Sequence, residues 1–206
     1  ISPVSFTEFL SVATTASPPF VGAAISSGTA AASVVNANVN RPGIVRLTSS
    51  TTANGGYRWL TDLSTMRIKG SEVFECAIAP VNFATTILRI GLLDNSTSAD
   101  ATDGAYFETD ASGNIYLKTA KNTSRTASAS ITTLSLNTWY KLRITVNADA
   151  TSVLGEVFNS TGTLINSVSN TANIPTASGR ELGSGIVATE STTTATAMVD
   201  IDYLKL

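Results

Sequence analysis

The chain has 206 residues, of which 43% are hydrophobic and only 14% charged, with a formal net charge of -2 and no histidine. That length suits one large β-sandwich that folds without disulfides or metal, and no basic patch of the kind that nucleic acid requires is visible, so nucleic acid is not an expected partner. The missing histidine removes the usual catalytic triads, histidine metal sites and the commonest general base.

Helical periodicity is nearly absent and alternation of apolar and polar residues dominates. The first forty residues are rich in Ala, Ser and Thr, with weaker alternation, and are expected to supply strands and loops of the same domain, which would span 1–206. Ile44 to Thr48 reads as a strand. An Asn54-Gly55-Gly56 turn then leads into Tyr57 to Leu60, and a short helical turn is expected around Leu63 to Met66. Glu72 to Val81 and Thr85 to Asp94 are longer strands. Gly104 to Thr109 and Asn114 to Lys121 flank Asp110-Ala-Ser-Gly-Asn114, a hairpin signal because Gly and Asn tolerate positive φ. Thr138 to Asn147, Val153 to Asn159, Leu164 to Ser169, Gly185 to Glu190 and Ala195 to Leu206 complete the series. Roughly a dozen short strands at such spacing is the signature of a sandwich or barrel. The expected fold class is therefore all-β, a two-sheet antiparallel jelly-roll sandwich.

Side chains alternate across a strand, so each strand sorts its own residues into two faces. Tyr140, Leu142, Ile144 and Val146 turn inward, which leaves Trp139, Lys141 and Arg143 outside. By the same rule Glu75, Arg89, Tyr106, Glu108, Tyr116 and Lys118 turn outward from four other strands. If these strands share a sheet, its outer face joins charges and aromatic rings. Rings that stack on apolar sugar faces, beside charges that bond hydroxyls, suit glycan binding; the same residues suit a protein interface or an ordinary solvated face.

Candidates for chemistry are few. Cys76 is the only cysteine and reads as a small buried residue in a strand. Asp200 and Asp202 are two apart in the last strand, so they are expected on one side together with Met198, Leu204 and Leu206; Glu72 and Glu75, three apart, are on opposite faces. The loop from Asp94 through Asp100 to Asp103 carries oxygen ligands of the kind calcium takes, without EF-hand spacing; no other cofactor is expected. The sequons at Asn95, Asn122 and Asn159 are cheap matches in a chain so rich in Ser and Thr. No apolar run reaches the ~18 residues of a membrane helix, so membrane insertion is not expected.

Six segments occur in order: Pro42-Gly-Ile-Val-Arg-Leu47, Asn54-Gly-Gly-Tyr57, Leu88-Arg-Ile-Gly-Leu-Leu-Asp94, Gly104-Ala-Tyr-Phe107, Thr138-Trp-Tyr-Lys-Leu-Arg-Ile144 and Val199-Asp-Ile-Asp-Tyr203. Together they resemble the concanavalin A-like lectin/glucanase superfamily, particularly domains of bacteriophage tail, fibre and other virion proteins, over roughly residues 40 to 206. The resemblance implies a jelly roll with a concave sheet that often binds carbohydrate. The Glu-x-Asp-x-x-Glu strand of the glucanases is missing, so the implied role is non-catalytic. The expected protein binds a host-surface glycan from the surface of a virion, with homo-oligomerisation compatible. The alternatives are a structural decoration or tail protein that docks on other virion proteins, and a glycan-cleaving enzyme.

Overall fold

A computed structural model describes residues 21–25, 30–35 and 43–206. Fifteen strands and no helix occur among them. In chain order the first five are β1 (Val21–Ile25), β2 (Ala31–Val34), β3 (Val45–Thr48), β4 (Gly56–Leu60) and β5 (Val73–Pro80). Next come β6 (Thr86–Leu93), β7 (Gly104–Thr109), β8 (Asn114–Lys121), β9 (Ser124–Ala127) and β10 (Thr132–Thr133). The last five are β11 (Tyr140–Val146), β12 (Val153–Asn159), β13 (Leu164–Asn170), β14 (Gly183–Glu190) and β15 (Ala197–Lys205).

These strands form two antiparallel sheets. One, sheet A, runs β1-β4-β14-β6-β7-β8-β10, with β9 also paired to β8; the other, sheet B, runs β13-β12-β11-β5-β15-β3-β2. Alternation explains the packing between them. In β11 every second residue from Tyr140 is buried and those between are half-exposed, so Leu142, Ile144 and Val146 meet Leu88, Ile90, Phe107 and Leu117 of sheet A in one core. Cys76 lies fully buried in that core, and burial pushes its thiol pKa well up.

The expected hairpin at 110–114 is present. Asp110 Oδ1 accepts from the backbone N–H of Ser112 and Asn114, and Gly113 takes φ 81°. The expected helical turn at 63–66 is a tight turn instead, because Met66 bridges to Leu182 and draws the backbone into an extended path. Strands β9 and β10 were not expected: short and polar, they carry no alternation to reveal them. β1 and β2 fall in the N-terminal stretch where strands were anticipated without bounds.

A second apolar layer lies on the outside of sheet A. Ile25, Leu60, Leu93, Tyr106, Ala120 and Val187 pack there with Ala101, which belongs to the loop 94–103 between β6 and β7. That loop roofs part of a face expected to be open to solvent.

Candidate functional site

The nine residues expected on one outer face are divided between two. Arg89, Tyr106, Glu108, Tyr116 and Lys118 lie outside sheet A, and Glu75, Trp139, Lys141 and Arg143 lie outside sheet B. Alternation assigns each residue correctly to an outward position but says nothing of which strands become neighbours. Here β6, β7 and β8 pair with one another, while β11 pairs with β5 and β12. The shared face is therefore corrected to two faces on opposite sides of the molecule.

On sheet A the charges are consumed by one another and by the loop. Arg89 Nε bonds Glu108 Oε2 at 2.7 Å and lies 3.3 Å from Asp100 Oδ1; Lys118 Nζ bridges Glu108 Oε1 and Asp100 Oδ2; Arg125 Nε also reaches Asp100. Tyr106 is expected outside and does leave the core, yet it is 0% exposed beneath the loop, where its hydroxyl donates to Asp100 Oδ1. Tyr116 donates to Asp110 Oδ2 at 3.0 Å. Burial works to raise the Asp100 pKa, but the Tyr106 hydroxyl and the Lys118 and Arg89 charges outweigh it and hold the carboxyl below the usual range. Asp100 is thus fixed as a carboxylate and is unsuited to general-acid work. This cluster clamps the loop to the sheet.

The three loop acids do not converge as a calcium cage. Asp94 Oδ1 accepts from the Thr102 N–H, Asp100 enters the clamp just described, and Asp103 takes Arg180 Nη1 at 2.6 and 2.8 Å. Among the described residues no three acidic side chains are grouped to hold a metal ion.

Sheet B presents a different surface. The outward positions of β5 are Glu75, Ala77 and Ala79. Both alanines are nearly buried, at 4% and 3% exposure, although nothing longer than a methyl rises from them. Taller neighbours stand on either side: Lys141 and Arg143 on β11, and Asp200 and Tyr203 on β15. The result is a narrow trough whose methyl floor is closed over by these taller side chains and barely reached by solvent.

At one end of the trough, Glu75 accepts from Tyr203 Oη at 2.8 Å and Arg143 Nε at 3.1 Å, and Arg143 also reaches Glu156. Lys141 and Arg143 lie over the Phe158 ring, 4.4 and 4.9 Å from its centroid. Burial pushes the Glu75 carboxyl up, but the Tyr203 and Arg143 hydrogen bonds and the Lys141 charge hold it below its ordinary range. At the other end a cleft of about 530 Å³ is lined by Val34, Val35, Ile44, Arg46, Trp139 and Asp200. Arg46 and Asp200 are cross-strand partners, and the guanidinium grips the carboxylate in two bonds, Nε to Oδ1 at 2.7 Å and Nη2 to Oδ2 at 2.8 Å. Such a fork fixes both side chains while leaving outward lone pairs and N–H groups.

Of the nine expected residues, only Trp139 lines this cleft. Arg46 and Asp200 were missed as a site because 154 positions separate them. The paired outward alanines of β5 were the signal that could have located the trough. The expected grouping of Asp200 with Met198 and Leu204 is also corrected. Bulges between Ala197 and Val199 and between Ile201 and Tyr203 shift the register twice. Met198, Val199, Ile201 and Leu204 therefore all enter the core while Asp200 faces out.

A family model described as the SO2946-like C-terminal domain matches residues 40–202. The chain belongs to the SO2946-like family. Among solved structures, this SO2946-like chain is similar to SO2946 from Shewanella oneidensis MR-1, a protein of unknown function. The identity is 20% and the TM-score 0.78, with 97% of this chain and 83% of that one covered. It is also similar to the β-glucanase of Bacillus licheniformis, at 11% identity and TM-score 0.59, covering 98% and 96% of the two chains. Lectin I from Ulex europaeus, solved with the methyl glycoside of α-L-fucose, matches at 12% identity and TM-score 0.51, covering 91% and 97%. No curated protein sequence matches. At these identities the neighbours show the fold, that of the concanavalin A-like lectins and glucanases, which serves both enzymes and non-enzymes.

Proposed function

We propose that this SO2946-like domain is a non-catalytic carbohydrate-binding module, with its sugar held in the cleft at the Trp139 end of the trough outside sheet B. The observation that carries the proposal is the cleft lined by Trp139 together with the Arg46–Asp200 fork. An indole offers a face for the apolar side of a sugar ring, and a fixed guanidinium–carboxylate pair offers donors and acceptors to hydroxyls. A cleft near 530 Å³ lies within the size range of small-ligand sites. The lectin neighbour, solved with a fucoside, supports the ligand class by analogy of fold. Support for a non-catalytic role comes from carboxylates already engaged by cations at Asp100, Glu108 and Asp200.

A glycan array probed with the native chain and with Trp139→Ala tests this. The expected result is binding to a defined set of glycans that the variant loses. Absence of any binding at high protein concentration, or unchanged binding by the variant, contradicts it.

Docking on another protein is the second role, favoured by β13. This edge strand exposes Leu164 and Ile165 at 46% and 43% and carries no charged residue to discourage pairing. Another virion component or a second copy of the chain would be the partner, and the virion setting is proposed on the sequence resemblance alone. Light scattering separates this role from the first: Ile165→Lys would abolish association and leave glycan binding intact.

A further inference from the structure

Glu190 ends β14 and Thr86 begins β6, and the two are direct cross-strand partners. They share the inward parity of Ala188 and Leu88, both core residues, so both side chains point between the sheets at one end of the sandwich. Glu190 is 2% exposed and Thr86 1%. Hydroxyls of Thr192 and Thr196 donate to Glu190 Oε2, each at 3.2 Å. Glu190 Oε1 has no hydrogen-bond partner, and neither has Thr86 Oγ1.

Opposed residues on one face of an antiparallel pair have Cβ atoms ~4.5–5.5 Å apart, so the two orphaned oxygens belong to directly neighbouring side chains. They do not bond each other. In the same network Ser49 Oγ accepts from the Thr196 N–H, and Asn82 Nδ2 donates to Thr85 Oγ1 and to Thr196 Oγ1. Segments 47–57, 76–88 and 189–199, which meet here, contain no charged residue besides Glu190. Among the described residues Glu190 has no cationic partner.

A carboxylate buried without a compensating positive charge is unfavourable. A trapped water would satisfy the hydrogen bonds but leave the charge uncompensated. The two orphaned atoms are hard oxygens, suited to alkali and alkaline-earth ions and unsuited to zinc or copper.

We propose that Glu190 Oε1 and Thr86 Oγ1 ligate a hard cation, Na⁺ or Ca²⁺, that closes this end of the sandwich. The ion draws the chain that follows β14, through Thr192 and Thr196, onto the start of β6. It is independent of the sugar trough, which lies outside sheet B.

The test is thermal unfolding of the full chain in choline chloride, titrated with NaCl or CaCl₂ at constant ionic strength. A saturable rise in Tm of about 3–6 °C in either salt is expected, and the active salt identifies the ion. Glu190→Gln, whose amide is uncharged, should remove the response. Thr86→Val, which keeps the carboxylate and so guards against a folding failure of the first variant, should move it to higher cation concentration. Equal Tm in choline, sodium and calcium, or an undiminished response in Glu190→Gln, overturns the proposal.

Discussion

The Tyr106 hydroxyl donates to Asp100 Oδ1 on the outside of sheet A, with the ring sealed beneath the loop that carries Asp100. One residue thus serves as the floor of an outer apolar layer and as an anchor for its roof. Tyr106→Phe keeps the ring and removes the donor to a charged acceptor, which typically costs about 2 kcal/mol. Urea denaturation should show that loss. Hydrogen exchange should show faster exchange in 94–103 than in β11, as expected of a loop released from its clamp.

Acid should weaken this clamp and the trough together. The folded-state pKa values of Asp100 and Glu75 are both depressed below their ordinary values. Between the folded and unfolded pKa the unfolded chain binds more protons, so stability rises with pH there. The contribution is present above the unfolded values of about 3.9 and 4.3 and is lost as pH falls through the lower folded values. The urea midpoint should therefore decline below about pH 4. Asp100→Asn should lower the midpoint at pH 7 and flatten the acid limb. With no histidine in the chain, no histidine step should occur between pH 6 and 8.

Gly91 and Gly185 face each other across β6 and β14, and both take φ 145°. A Cβ on Gly185 would stand 2.0 Å from the Trp59 carbonyl oxygen, which is backbone within the same sheet and cannot swing aside. Gly185→Ala combines that clash with a strained backbone and should cost about 3–5 kcal/mol, or roughly 10 °C in Tm. Gly162→Ala supplies the contrast: its φ of 84° is also unfavourable to a side chain, but nothing lies near its Cβ, so the cost should be near 1 kcal/mol.

Strands were legible wherever alternation was strong, as in Tyr140–Val146, and the outward sense of Trp139, Lys141, Glu75 and Arg89 was legible with them. Strand partnership was not, because period-2 patterning is a property of one strand and sheet order is set by contacts distant in sequence. For the same reason the burial of Tyr106 under a loop was invisible. In β15 the alternation itself misled, since each bulge reverses the side on which later residues fall. The Arg46–Asp200 fork left no local trace. The alanines at positions 77 and 79 did leave one, as two small outward residues in an otherwise bulky strand.

Trp139 is the residue on which carbohydrate binding turns, and its fluorescence gives the most direct measurement. The chain has two tryptophans, and Trp59 is buried in the core. Trp59→Phe therefore leaves Trp139 as the sole reporter. Titration of that variant with the best glycan from an array should give a saturable shift in emission at a concentration matching the binding constant from calorimetry. Arg46→Ala and Asp200→Asn should each weaken it at least tenfold, about 1.4 kcal/mol. Emission that stays constant through saturation, with calorimetry still reporting binding, would place the sugar elsewhere and contradict the trough as the site.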